Sequence, residues 1–178
     1  MTVIPTLETE RLIMRSFKAD DFGRLQKIES DEEMTRFTGG VHNEDQCWRY
    51  MAVMIGHWTL RGFGPFALEE KDTNTLVGYC GPWFTPKFPE PEICYTLARD
   101  AQGKGYATEA LKSAIGFAYD QLGWKRAVSC IASENFSSQA VSKRLGAKKE
   151  KTDVPVDTYL VDIWRHLPPE EFRQLHEN

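Results

Sequence analysis

The segment Gln102-Gly103-Lys104-Gly105-Tyr106-Ala107-Thr108-Glu109-Ala110 constrains this chain more than any other. It lies between a strand-like run, Glu92 to Ala98, and the most regular helical pattern in the sequence, Lys104 to Leu122. There Ala107, Ala110, Leu111, Ala114, Ile115, Ala118 and Leu122 share one face. Glycines at a strand-to-helix junction let backbone approach a ligand closely and turn several N–H groups toward one point. The unpaired N–H groups of the first helical turn, and the dipole behind them, add partial positive charge. That combination suits a phosphate or pyrophosphate. A P-loop fails because Lys104 is followed by Gly105. A dinucleotide fingerprint fails because Thr108 stands where Gly or Ala belongs, with no matching acid about 20 residues on. What fits is Q-x-x-G-x-A: Gln102, Gly105 and Ala107. A merely glycine-rich helix entrance is the alternative.

The rest of the chain punctuates around this junction. Leu7 to Phe17 reads as an opening strand, and Asp20-Asp21 begins a helix through Phe22, Leu25 and Ile28 that stops near Ser30. After the break at Gly39-Gly40, Asn43 is placed to cap a longer helix carrying Cys47, Trp48, Met51, Ala52, Ile55 and Trp58 and ending at Gly62. Phe66 to Lys71 and Leu76 to Gly81 read as a hairpin. Pro82 to Pro91, with four prolines, reads as a loop. Ala127 to Ala132 is a strand, Asn135 to Leu145 a helix closed by Gly146, and Tyr159 to Trp164 a last strand before a tail helix at Pro168-Pro169. The expectation is one domain over 1–178, with a core of about 7–167 and a short tail, built as a mixed α/β sheet with helices on both faces.

Composition narrows the function classes. The 178 residues carry a formal net charge of −4, so a positive field for nucleic acid or anionic membranes is not expected. No apolar stretch approaches the roughly 20 residues of a membrane span, and Met1 to Pro5 lacks the pattern of a signal peptide. Cys47, Cys80, Cys94 and Cys130 are far apart, without metal-ligand spacing. Reduced thiols in a cytoplasmic protein, and no metal, are expected.

A family resemblance is carried by several segments in order: Leu7-Glu8-Thr9-Glu10-Arg11-Leu12-Ile13-Met14-Arg15, Gly62-Phe63-Gly64-Pro65-Phe66-Ala67-Leu68, Leu76-Val77-Gly78-Tyr79-Cys80-Gly81, Gln102 to Ala110, Asn135-Phe136-Ser137-Ser138 and Arg144-Leu145-Gly146-Ala147. Over roughly Leu7 to Trp164 the chain resembles GNAT-type N-acetyltransferases, and within them the Rim-type branch that acetylates N-terminal amines of ribosomal proteins. The resemblance implies a mostly antiparallel sheet (an α+β arrangement) with a splayed strand pair that holds coenzyme A. The strand Ile93 to Ala98 would splay, exposing an N–H near Leu97 to polarise the thioester carbonyl. Backbone from Gly103, Lys104, Gly105, Tyr106, Ala107 and Thr108 would hold the pyrophosphate of acetyl-CoA. The Lys104 side chain either assists or is simply solvated, and Gln102 would orient the loop or meet a phosphate.

Asn135 would contact the coenzyme, although helix capping alone also explains it. Ser138 would lie near the sulfur, where relatives often carry Tyr, and aid the leaving thiolate. An N-terminal α-amine costs only about 1 kcal/mol to deprotonate at pH 7, against about 4.6 for a lysine. A water relay and a carboxylate therefore suffice as base, and Glu92 is the candidate carboxylate, with His42 and His57 as alternatives. The loop Pro82 to Pro91, with Phe37 to His42, would flank the acceptor mouth, where Trp83, Phe84 and Phe88 either grip an acceptor or a second subunit or simply pack. No Cys or Ser has an adjacent base, so direct attack by a primary amine, of a protein N-terminus or a small molecule, is expected. The other reading is a degenerate acetyl-CoA-binding sensor. A homodimer is the default assembly.

Overall fold

The computed structural model describes residues 3–156 and 159–176. One mixed sheet runs in the order β1-β2-β3-β4-β5-β6-β8-β7. Its strands are β1 (Leu7–Glu8), β2 (Leu12–Arg15), β3 (Phe66–Glu70), β4 (Thr75–Trp83), β5 (Glu92–Leu97), β6 (Val128–Ile131), β7 (Lys148–Val156) and β8 (Tyr159–Arg165). The helices are α1 (Phe22–Glu29), α2 (Glu32–Thr35), α3 (Glu44–Arg61), α4 (Tyr106–Asp120), α5 (Phe136–Arg144) and α6 (Pro169–His176). Neighbouring strands are antiparallel except β5 and β6.

Alternation along β3 shows how the layers form. Phe66 and Leu68 join the cluster containing Leu111, Ala114 and Ile115 of α4. Ala67, between them, joins Leu25 of α1 and Met51 and Met54 of α3 on the opposite face. Helices therefore cover both faces, as expected. Ala110, Ala114 and Ala118 of α4 are fully buried, and their small side chains let the helix lie close over the sheet. A leucine at any of them would overpack that contact, at about 1–3 kcal/mol. The helix α3 begins where Asn43 implied. Asn43 Oδ1 accepts from Gln46 N–H at 2.9 Å, and Gln46 Oε1 accepts from Asn43 N–H at 2.9 Å, a reciprocal cap worth about 1 kcal/mol.

Several boundaries differ from the sequence expectation. The opening strand is two strands, because Thr9 N–H and Leu12 C=O, 3.0 Å apart, close a tight turn between them. The helix α4 starts at Tyr106, not Lys104, since Gly105 is left-handed at φ +85°. The expected loop from Pro82 begins later, because β4 continues through Trp83. Pro82 fits there: pairing with β3 ends at Phe66 opposite Cys80, so no strand beyond it asks for the missing donor. One element was not anticipated, and a second, a strand beside the last one, the sequence leaves open. The short α2 rests on Asp31, whose carboxylate accepts from Glu33 and Met34 N–H. The edge strand β7 is almost wholly exposed and pairs with β8 alone. Among the described residues no helix is long and apolar enough to cross a membrane.

The feature that positions the site is a fork. The parallel strands β5 and β6 share one register pair, Glu92 with Val128, at their N-terminal ends. Beyond it they separate. The open end of the fork is where β5 leads toward α4 and β6 toward α5, so both helix N-termini flank it.

Candidate active site

Side chains take up the backbone groups that the diverging strands release. Glu92 Oε2 accepts the Cys130 N–H at 2.8 Å. Ser129 Oγ donates to the Ile93 carbonyl at 2.9 Å and lies 3.0 Å from His166 Nε2. Because the serine proton goes to Ile93, His166 is the donor in the second contact. Burial pushes His166 down to about 4, so the ring is neutral at pH 7.

A cavity of about 230 Å³ opens at the fork. Consecutive β5 residues, Cys94 and Tyr95, both line it. Neighbouring side chains of a strand point to opposite faces, so the cavity passes through the sheet. Tyr50, Tyr79 and Trp83 wall it on the α3 face; Asn135 and Ser138 of α5 wall it on the other. Glu92 lines it while only 4% exposed. Burial pushes this carboxyl up to about 7, against the opposing hydrogen bond from Cys130.

At the fork's open end lies the glycine loop. Gly103 (φ +72°) and Gly105 (φ +85°) are both left-handed. No acceptor among the described residues takes the backbone N–H groups of Gly103 to Thr108; the next, of Glu109, bonds to the Gly105 carbonyl at 3.2 Å. Alternating left-handed glycines and a helix start gather these donors into an anion-receiving concavity.

The loop is held from outside by the turn between β1 and β2. Arg11 donates from Nη1 to the Lys104 carbonyl (2.7 Å) and from Nε to Glu109 Oε2 (2.8 Å). Its backbone N–H and the Thr9 hydroxyl both donate to Glu109 Oε1, at 2.7 and 2.6 Å. The Arg11 guanidinium lies 4.7 Å over the Tyr106 ring, and the Tyr106 hydroxyl donates to Glu70.

The expected site residues fall into three groups. Glu92, Asn135 and Ser138 come together at the cavity. Asn135 also caps α5, accepting from Ser138 N–H at 3.1 Å. On β5, Ala98 N–H is bonded to the Val77 carbonyl at 2.8 Å. Ladder alternation then turns the Leu97 N–H away from β4, toward the fork. Ala98 therefore has no free N–H for a ligand. Gln102 points elsewhere, its amide 2.9 Å from Met34 Sδ. Lys104 is half exposed, 4.0 Å from Glu70.

The histidine and aromatic expectations divide as well. His57 is not an available base: its ring nitrogens meet the Phe63 carbonyl (2.7 Å) and the Phe84 backbone (N–H donor at 3.1 Å), and it stacks on Trp83. His42 Nδ1 lies 3.1 Å from Glu29 Oε2. Trp83 and Phe88 line the cavity. Phe84 instead receives the Arg61 guanidinium 4.6 Å over its ring.

Sequence reading overlooked Tyr95, whose hydroxyl hydrogen-bonds Ser138 across the fork. It also overlooked Tyr50 and Tyr79, and the clamp of Arg11 on Glu109. Only Glu109 had a signal, its place in the first turn of α4. The four cysteines are free thiols. Among the described residues no group of His, Cys, Asp and Glu is placed to hold a metal.

A forked mixed sheet, a cavity through the fork and a loop of unpaired amides at its open end together form a site for an elongated ligand that carries a phosphate at one end. Residues 11–148 match the model of the acetyltransferase (GNAT) domain, and the chain belongs to that family. It is 37% identical over 147 residues to YdaF of Bacillus subtilis, provisionally named a ribosomal N-acetyltransferase, covering 79% of this chain and 80% of that one. Among solved structures it is similar to an acetyltransferase from Agrobacterium tumefaciens (TM-score 0.84, 26% identity, 94% of this chain and 96% of that one). It also shares the fold of RimJ from Mycobacterium smegmatis, solved with a CoA disulfide (TM-score 0.73, 19% identity, 94% and 88% coverage).

Proposed function

We propose that this protein transfers the acetyl group of acetyl-CoA directly to the primary amine of a protein N-terminus or small molecule, as one cytoplasmic domain without a metal. The observation that carries the reading is the cavity through the sheet, with unpaired amides at the open end of its fork. The amides of 103–108 hold the pyrophosphate, and Arg11 keeps their loop in shape through the Lys104 carbonyl and Glu109. Acetyl-CoA supplies a thioester whose carbonyl is electrophilic and whose sulfur leaves as a thiolate.

The chain's own groups do the rest. Leu97 N–H donates to the carbonyl oxygen as negative charge develops there. Glu92 faces the cavity from the other wall of the sheet and accepts a proton from the amine. Its carboxyl, raised to about 7 by burial, is matched to removing a proton near neutral pH. Ser138, with Tyr95 behind it, donates toward the departing sulfur; a thiol of ordinary pKa, about 8.5, needs only modest help. Asn135 shapes the start of α5 at that point. Glu92 also favours transfer over a coenzyme sensor, since a sensor has no use for a costly buried carboxyl at the acceptor wall.

The test is incubation with acetyl-CoA and a panel of unblocked peptides, polyamines and monoamines, read by thiol release and product mass. Acetylation of one acceptor class supports the reading and names the substrate. Tight coenzyme binding with no product from any class supports the sensor instead.

A further inference from the structure

Acetylating an ammonium removes two protons from its nitrogen. The departing thiolate takes up one, and the other must leave the protein. Glu92 is buried and bonded to both the N–H and the thiol of Cys130; burial keeps that thiol neutral, so this pair does not explain where the second proton goes. Behind Tyr50 and Tyr79, which wall the cavity on its α3 face, lies a buried carboxylate that takes no part in these steps.

Glu29, at the end of α1, is 2% exposed. Tyr79 donates its hydroxyl proton to Glu29 Oε1 at 3.1 Å. The Tyr50 hydroxyl lies 3.3 Å from that of Tyr79. A phenol has one proton and Tyr79 has committed its own, so Tyr50 is the donor between them. Both hydroxyls thus point their protons toward Glu29, and Tyr50, on the cavity wall, keeps its oxygen lone pairs for a donor. On its far side, Glu29 Oε2 is 3.1 Å from His42 Nδ1, and the His42 side chain is 25% exposed. Tyr50 from α3 also packs against the His42 ring, at 5.3 Å between centroids.

We propose that Tyr50, backed by Tyr79 and Glu29, receives the protonated amine of the acceptor, and that its proton leaves through Tyr79 and Glu29 to His42 at the surface. The inference rests on the acetyltransferase reading and gives its acceptor a chemical class: an amine that arrives as a primary ammonium. The transfer balances. Ammonium N–H breaks and its proton joins the Tyr50 oxygen. The Tyr50 proton passes to Tyr79, and the Tyr79 proton to Glu29. The products are a neutral amine and a neutral carboxylic acid, which passes the proton to His42 and then to water.

The groups facing Glu29 are Tyr79 from β4, His42 from the segment after α2, and Cys47 and Tyr50 from α3. The Cys47 thiol is pushed up to about 11 by burial and stays neutral at pH 7, so it does not compete for the proton. Burial raises the Glu29 carboxyl above its ordinary value, with Tyr79 and His42 pulling against it. That suits a group which must accept a proton and then release it.

The experiment compares wild type, Tyr79→Phe and Glu29→Gln on two probes at pH 7. One is trialanine, whose α-amine is largely protonated; the other is O-methylhydroxylamine, which is neutral. The predicted result is a loss of kcat/KM of at least about tenfold on trialanine, shrinking as pH rises above the pKa of its amine. Activity on O-methylhydroxylamine and affinity for acetyl-CoA should stay close to wild type. Equal losses on both probes would mean a structural role and would overturn the proposal, as would no loss on either. A wild-type protein that binds acetyl-CoA but acetylates neither probe also overturns it, while leaving the coenzyme site standing. Absence of acetyl-CoA binding would instead overturn the acetyltransferase reading on which it rests.

Discussion

Replacing Glu92 with glutamine should stabilise the protein at high pH while removing most of its activity. Burial holds the folded carboxyl at about 7 against an ordinary 4.5. The folded state therefore binds this proton more tightly than the unfolded chain, and stability falls as pH rises between those two values. The difference of about 2.5 units corresponds to roughly 3 kcal/mol at 1.36 kcal/mol per unit. That cost is absent below pH 4.5 and fully present above 7. The substituted side chain would carry no charge and can still accept the Cys130 N–H through its oxygen. Its amide hydrogens add a penalty that does not depend on pH, so the informative quantity is the slope. Urea unfolding at pH 5, 6.5 and 8, followed by tryptophan fluorescence, should show the variant gaining about 2 kcal/mol on wild type across that range, part of the cost being present already at pH 5. A difference constant with pH would refute the buried, titrating carboxyl. In the same variant kcat/KM should fall by about 10²-fold or more if Glu92 is the base, an exchange of stability for function common at active sites.

Gly105→Asp should abolish acetyl-CoA binding in calorimetry, since it adds a negative charge beside the amide concavity and puts a Cβ, on a left-handed residue, 3.2 Å from the Arg11 guanidinium that holds the loop in shape; unchanged affinity would remove the loop from the coenzyme site. Ser138→Ala should lower kcat more than it raises KM for acetyl-CoA, and an unaltered kcat with slow chemistry would exclude Ser138 from the leaving-group step. Gly78→Ala should cost several kcal/mol or prevent folding, because a Cβ there would lie 2.1 Å from the Thr96 carbonyl oxygen of β5. Thermal melting with an unchanged midpoint would contradict so close an approach of β4 to β5.

The frame of the fold was legible wherever local chemistry and tertiary packing agree. Asn43 and Gly62 bracket α3 by their own capping preferences, and the alanine stripe of α4 announces its buried face. What escaped was set by distant parts of the chain. In β7 the run Lys148 to Asp153 is exposed and lacks alternation, and its pairing with β8 shifts register twice; only the partner strand makes it a strand. Pro82 reads as a loop residue until one sees that β3 has already ended. The site divides in the same way. The glycine loop is contiguous, so its amide concavity could be read directly. Glu92 could be named as a carboxylate, but its burial comes from closing the fork against β6. Tyr50, Tyr79, Glu29 and His42 come from α3, β4, α1 and the segment after α2, and no spacing in the sequence brings them together. Ser138 reads as a departure from the tyrosine that the family resemblance implies, yet Tyr95 brings a phenol to the same place from β5.

The most direct measurement is calorimetric titration of the purified protein with acetyl-CoA, beside acetyl-pantetheine, which lacks the pyrophosphate. Saturable one-to-one binding of acetyl-CoA, much weaker for the truncated thioester, is the predicted result, because the amides of 103–108 are held open for the pyrophosphate. Equal affinity for the two would contradict the assignment of the loop, and no binding of either would contradict the acetyltransferase account itself.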